Sequence, residues 1–421
     1  MDLTVDEYLE GLFSKEAHET PSDSVKEEDL EMKLPKWFDE DLFNRSRTFF
    51  FRFIYGLTTV PSHGLIIVFS VPSILKILVN SQRTSSKYTA YRRYVSTLMH
   101  MLSWFKYELK PGSVSWKSLE AVRTRHLRAS RSAQMQNVGT VSQRDLALTQ
   151  FGFIGFAVLM PDRFGVRQVS EGDWEAYNHF WKVIGHMIGI EDRYNLCRNN
   201  IEETRKVCQY VLDRVFTPCL ENVPEYFEHM CRVMMDGLWA VNPVMESGSM
   251  LYLTKNLCNV PGYILTEAER ISLQSRIKEQ LNGKHEDIGV DSSLLVQKSK
   301  VEGLPQRAPL LLFLKDYETL DNSPEYRKLS IAAKYKIAIY SLTMNFYTTS
   351  IGRMLINIQY ILSLIVADWF PYVAVLLYGF KNAYVDKFKE SIKDKTVPRP
   401  NADYYKPQPP EPWYRMILRF R

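Results

Sequence analysis

The sequence predicts an all-α protein built as a single large helical domain. Apolar residues recur at helical spacing along most of the chain, hairpin signals are nearly absent, and no internal repeat or composition shift calls for a second domain. With 421 residues, 45% of them apolar and 13% aromatic, there is ample material for one packed core.

Charge and cysteine usage narrow the partners. Lys+Arg of 53 against Asp+Glu of 48 gives a formal +5 spread along the chain, so no nucleic-acid partner is expected, while an anionic membrane surface stays open. The five cysteines are odd in number and contain no Cys-x-x-Cys, which argues against a disulfide framework and a thiolate zinc site. A reducing, intracellular setting is the expectation. Met1 to Glu7 lacks the basic and apolar regions of a secretory signal.

In chain order, residues 1–33 are acidic and interrupted by Pro21, and are expected to form a disordered arm. The helical body is expected over 34–392. Its first strongly apolar region runs from Phe49 to Val79, where Arg52, Pro61, His63, Pro72 and Lys76 cut it into pieces shorter than the ~20 residues a bilayer requires; buried core helices are favoured. Helices follow over Thr84–Tyr107, over Ser115–Ala133 with Leu119, Arg123 and His126 on one face, and over Gln143–Val158, where Gly152 and Gly155 would admit a neighbouring helix or a flat ligand. Trp174 to Asn195 carries Tyr177, Trp181, Ile184 and Ile188 at core spacing, with His179 and His186 on another face. Further amphipathic helices are expected over Arg198–Phe216, Pro224–Val241, Ser247–Asn256 and Thr266–Leu281, then a polar loop over Gly283–Pro309. Pro324–Thr349 reads as one long helix, basic on one side. Met354–Phe380, with Asp368 and Pro371 near its middle, reads as two packed helices or a re-entrant hairpin in a membrane. A Pro-rich basic tail, expected to be disordered, closes the chain over 393–421.

Most familiar chemistries are unsupported. No glycine-rich phosphate loop follows a strand, and no nucleophile elbow appears. None of the eight histidines is paired at i, i+4, and Glu175 with His179 and Glu225 with His229 are one residue too far apart for the di-iron Glu-x-x-His pattern. Haem asks for less: one imidazole for the iron, apolar helix faces, and cations for the propionates. His126 beside Arg123, opposite the apolar Gln150–Val158 helix, is such an arrangement in outline. The plain alternative is a solvated face at Arg123, Arg125 and Arg128, core residues from Tyr177 to Ile188, and cysteines acting as small buried hydrophobes.

The motifs Val122-Arg123-Thr124-Arg125-His126, Leu148-Thr149-Gln150-Phe151-Gly152-Phe153-Ile154-Gly155-Phe156, His179-Phe180-Trp181-Lys182-Val183-Ile184-Gly185 and Gly189-Ile190-Glu191-Asp192-Arg193-Tyr194-Asn195, with the upstream Arg92-Arg93-Tyr94, Thr97 and Trp104, resemble the catalytic domain shared by the fungal ER-bound oxygenase mpaB and the bacterial latex-clearing rubber oxygenases. The resemblance covers roughly Phe49 to Met245 and is stronger to an animal-type branch. It implies a globin-like all-α core, haem b, and use of dioxygen to oxidise or cleave an apolar isoprenoid- or lipid-like substrate, with the endoplasmic reticulum membrane as the setting. By the same resemblance Arg123 matches the family's pocket arginine. His126 stands where many members have His and the rubber oxygenases have Lys, Leu127 stands for their Thr, and Gln150 stands where their iron-ligand His lies. The iron then falls to His126 or to another histidine such as His179, or haem is lost and the chain is a non-catalytic lipid-binding or membrane-associated protein on the same fold.

Overall fold

Most of the main helices begin on a side chain that satisfies otherwise free N–H groups. Ser86, Ser113, Ser142, Ser170, Asn200 and Thr266 each accept from a backbone N–H of the first turn, a contact that stabilises a helix by about 1 kcal/mol. In the computed structural model, which describes residues 3–23, 25, 27–242 and 245–406, the chain is helical nearly throughout. The first half comprises α1 (Val5–Leu12), α2 (Lys15–Glu19), α3 (Glu40–Arg52), α4 (Ile54–Phe69), α5 (Pro72–Asn80), α6 (Lys87–Lys106), α7 (Val114–Met135), α8 (Gln143–Leu159) and α9 (Glu171–Met187). Then follow α10 (Ile201–Val211), α11 (Thr217–Glu221), α12 (Phe227–Leu238), α13 (Ser247–Leu257), α14 (Glu267–Leu281), α15 (Pro324–Arg327), α16 (Ile331–Tyr347), α17 (Ser350–Trp369) and α18 (Tyr372–Tyr378). The strands among the described residues are the antiparallel pair Val290–Asp291 and Leu311–Leu312.

The core forms where α4 lies on α8, α3 on α9, and α6 on α7 and α12. At the α4–α8 crossing a Cβ on Gly64 would stand 1.7 Å from the carbonyl oxygen of Gly152, so the backbones meet where no side chain fits. Gly155 does a different job from the one expected: it makes room for the ring of Phe151 in its own helix. The rings of Phe50, Phe105, Phe180 and Phe43 stack in series, with centroids 3.7, 4.0 and 4.6 Å apart, and tie α3, α6 and α9 together. Most of the apolar run from Phe49 to Val79 is buried in this core, although Phe51 is exposed, and α4 and α5 meet at 94°. Pro61 does not cut α4 but sits within it.

The N-terminal arm departs from expectation. Tyr8, Leu12 and Ala17 are buried, the Tyr8 hydroxyl donates to the Tyr194 carbonyl (3.0 Å), and Ser22 N–H donates to Val141 O (2.8 Å). Few apolar residues suffice because each is placed on an existing surface. The single helix expected over Pro324–Thr349 is two, since α15 ends at Arg327 with Lys328 as its C-cap and Ser330 caps the start of α16. In the basic tail, a helical turn at Asn401–Tyr404 docks on α12, with Asn401 accepting from Glu228 N–H (3.1 Å); residues 407–421 lie outside the described residues. All five cysteines are buried and unpaired, and burial raises their thiol pKa values where a shift is resolved.

Candidate functional site

Between α4, α6, α8 and the end of α12 on one side, and α16 and α17 on the other, lies a cavity of about 340 Å³. Leu65, Tyr94, Met101, Phe153, Tyr360 and Leu364 give it a largely apolar wall, with hydroxyl and amide groups from Thr97, Gln359 and Ser363. Its size and lining suit a small or chain-like apolar ligand. Among the described residues its wall carries no histidine, cysteine or charged side chain.

The chemistry-bearing face of α7 is next to α6. Arg123 is clamped by Asp23 of the N-terminal segment, with Nε donating to Oδ2 (3.0 Å) and Nη2 to Oδ1 (2.6 Å). Its guanidinium charge is therefore already paired. Gly189, at φ +104°, lets the turn after α9 close over this pair, and a Cβ there would stand 2.8 Å from Asp23 Oδ2. One turn on, His126 has a buried Nδ1 with no hydrogen-bond partner. Burial first, then the nearby Arg93 and Arg125, push its pKa down to about 4, so the imidazole is neutral at physiological pH. Arg125 donates to the backbone carbonyls of Lys387 and Lys389, which hold the segment after α18 across α6 and α7.

Gln150 and His179 do not join this face as ligands. The Gln150 amide is used up within the core: Nε2 donates to Trp181 O (2.8 Å) and Asn195 Oδ1 (3.0 Å), and Oε1 accepts from Leu196 N–H (3.1 Å). It locks α8 to α9 and the turn that follows. His179, on α9, packs against the start of α3, where Nε2 accepts the Asp39 N–H (3.0 Å) and the ring lies edge-on to Trp37. Burial lowers its pKa, and its lone pair is taken. His186 is likewise engaged, with Nδ1 bonded to Asp192 (2.8 Å).

His63 is the residue that sequence reasoning passed over. The Thr254 hydroxyl donates to Met250 O (2.7 Å), so it must accept from His63 Nδ1 (2.8 Å), which fixes the proton on Nδ1 and leaves Nε2 bare. That Nε2 is buried and unpartnered, and burial pushes the pKa to about 3. Pro61 and Ser62 line the cavity, while the His63 ring faces Thr254, Phe164 and Tyr340. A histidine inside an apolar run was the available signal. Among the described residues no three His, Cys, Asp or Glu side chains converge on a point that would hold a bare metal ion.

Comparison with known proteins places these features. Residues 53–273 match the family described as ER-bound oxygenase mpaB/B'/Rubber oxygenase, catalytic domain. The Rubber oxygenase of Streptomyces sp. (strain K30) is 32% identical over 105 residues, 24% of this chain and 24% of that protein, so the match spans about a quarter of the relative. A solved structure described as Latex Clearing Protein LCP in the closed state aligns at a TM-score of 0.45 and 17% identity, over 64% of this chain and 78% of that one. The matched segment begins at the last residue before α4, ends in α14 and takes in more than half of the chain, including α7 with Arg123 and His126 and most of the cavity wall. The chain belongs to the mpaB/rubber oxygenase catalytic-domain family.

Proposed function

We propose that the protein is a haem b-dependent oxygenase that uses dioxygen to oxidise or cleave an apolar isoprenoid- or lipid-like substrate held in the cavity beneath α17. Family membership supports the oxygenase class, and the apolar wall supports the substrate class. The observation that carries the cofactor is His126, a neutral imidazole with a buried and unpartnered Nδ1. Haem, when bound, supplies the iron at which dioxygen is activated. In this reading His126 would hold the iron, and Arg93, one of the cations whose field depresses it, would face a propionate. Arg123 acts as a positioning residue through its clamp on Asp23, and the cavity wall keeps water from the substrate. The setting in this reading is the endoplasmic reticulum membrane, in keeping with the family description.

A second reading has its own support. Among the described residues the cavity wall carries no histidine or cysteine, and the Gln150 amide is saturated, as in a non-catalytic lipid-binding protein that keeps the fold. Protein expressed with haem supplied separates the two. His126→Ala is expected to lose haem, measured as pyridine haemochrome, with unchanged helical circular dichroism. A full haem complement in that variant removes His126 from the role, and loss in His63→Ala instead would give the iron to the other bare imidazole.

A further inference from the structure

We propose that the face formed by α16, α17 and α18 is a docking surface for an anionic lipid bilayer, and that it seats the outer wall of the cavity against the acyl chains. The docking surface stands without iron; the route for substrate rests on the oxygenase reading.

The surface is apolar beyond what water-facing helices carry. Leu342, Ile351, Ile358, Leu362, Trp369 and Leu376 are all exposed, and further aliphatic and aromatic side chains lie between them. A contiguous patch of this kind marks a binding surface. Its charge is net basic: over α16, α17 and α18 the charged residues are Lys334, Lys336 and Arg353 against one acidic residue, the exposed Asp368 beside Trp369. Anionic headgroups complement that pattern, and a second copy of an equally basic face does not. Trp369, Phe370 and Tyr372 are exposed at the corner where α17 turns into α18, with the amphipathic rings of Trp369 and Tyr372 at the place where a membrane–water boundary would take them.

α17 is long and apolar enough to cross a bilayer, yet its inner side belongs to the body. Asn357 donates to the Arg52 carbonyl (2.9 Å) and accepts from the Tyr347 hydroxyl (2.9 Å), while Arg353 lies over the Phe53 ring. A helix held along one side this way lies in the plane of the interface. Its inward residues Ile356, Gln359, Tyr360, Ser363 and Leu364 are the outer wall of the cavity. One helix therefore separates the acyl-chain region from the cavity, and an apolar substrate would pass it without crossing water.

The test uses full-length protein and flotation with phosphatidylcholine vesicles, with and without phosphatidylserine. Wild type is expected to float with the anionic vesicles, and Trp fluorescence to be quenched by brominated acyl chains, a signal reduced in Trp369→Phe. The double variant Ile358→Asp, Leu362→Asp, altered outside the cavity, is expected to partition at least about tenfold more weakly with unchanged circular dichroism, since two aliphatic side chains no longer enter the lipid. Absence of wild-type flotation, or equal flotation of the double variant, overturns the proposal. A solution dimer dissociated by the same substitutions assigns the face to a second copy, and resistance to carbonate extraction from membranes makes α17 a span; either result also overturns it. No readout involves iron, so failure here and failure of the haem reading are separate outcomes.

Discussion

His126 shares its condition with two other imidazoles, and together they set a pH dependence. Burial is the first cause in each: His63 is depressed to about 3, and His100 and His126 to about 4, from an ordinary value of 6.5. In the unfolded chain these rings protonate near 6.5, whereas in the folded protein they stay neutral, so the unfolded state binds more protons between those values. Stability is expected to be full above about pH 6.5 and to fall as pH drops toward 4. Thermal melts across that range check this; a Tm independent of pH there would contradict it. Arg123 carries a second prediction. Replacing it with Ala leaves the Asp23 carboxylate, 6% exposed, without its bidentate partner, and about 1–3 kcal/mol of stability should be lost, with faster proteolysis near residues 20–30. At this scale the sequence showed that Arg123 and His126 share a helical face. It could not show Asp23, a hundred residues away, nor that Asn195 and Leu196 saturate Gln150, because only tertiary folding brings those atoms together.

Among the helices, the Gly64–Gly152 contact decides how closely α4 and α8 pack. Gly64→Ala would drive a methyl into the Gly152 carbonyl, and the helices must part; a loss of about 1–3 kcal/mol or more is expected, read as a lower Tm. An unchanged Tm would mean that the crossing is looser than described. Periodicity made the longer helices from α6 to α14 legible, though α9 ends at Met187 rather than Asn195 and the short α11 was not expected, because an amphipathic stripe records the face a helix buries. The same signal gave Gly152 its helix-contact role without naming Gly64 as its partner. It missed α1 and α2, which are short and acidic and whose burial depends on a few well-placed residues such as Tyr8 and Leu12 rather than on composition. The break at Leu329–Ser330 was also lost, since Ser330 acts as an N-cap in a stretch that otherwise reads as continuous helix.

For the molecule as a whole, the cavity lies between a core that the family domain builds and a helix, α17, that lies beyond the matched segment. The sequence left residues 354–380 open between packed helices and a membrane hairpin. The structure gives α17 one face on the body and one exposed, an arrangement that mean hydropathy cannot distinguish from a span. The function rests on whether this fold holds haem. The most direct measurement is the ultraviolet-visible spectrum of the full-length protein, purified with haem supplied during expression, oxidised and then reduced. The haem oxygenase reading predicts a stoichiometric Soret band that shifts on reduction. A folded, helical protein with no such band would contradict it and leave the cavity as a lipid-binding site.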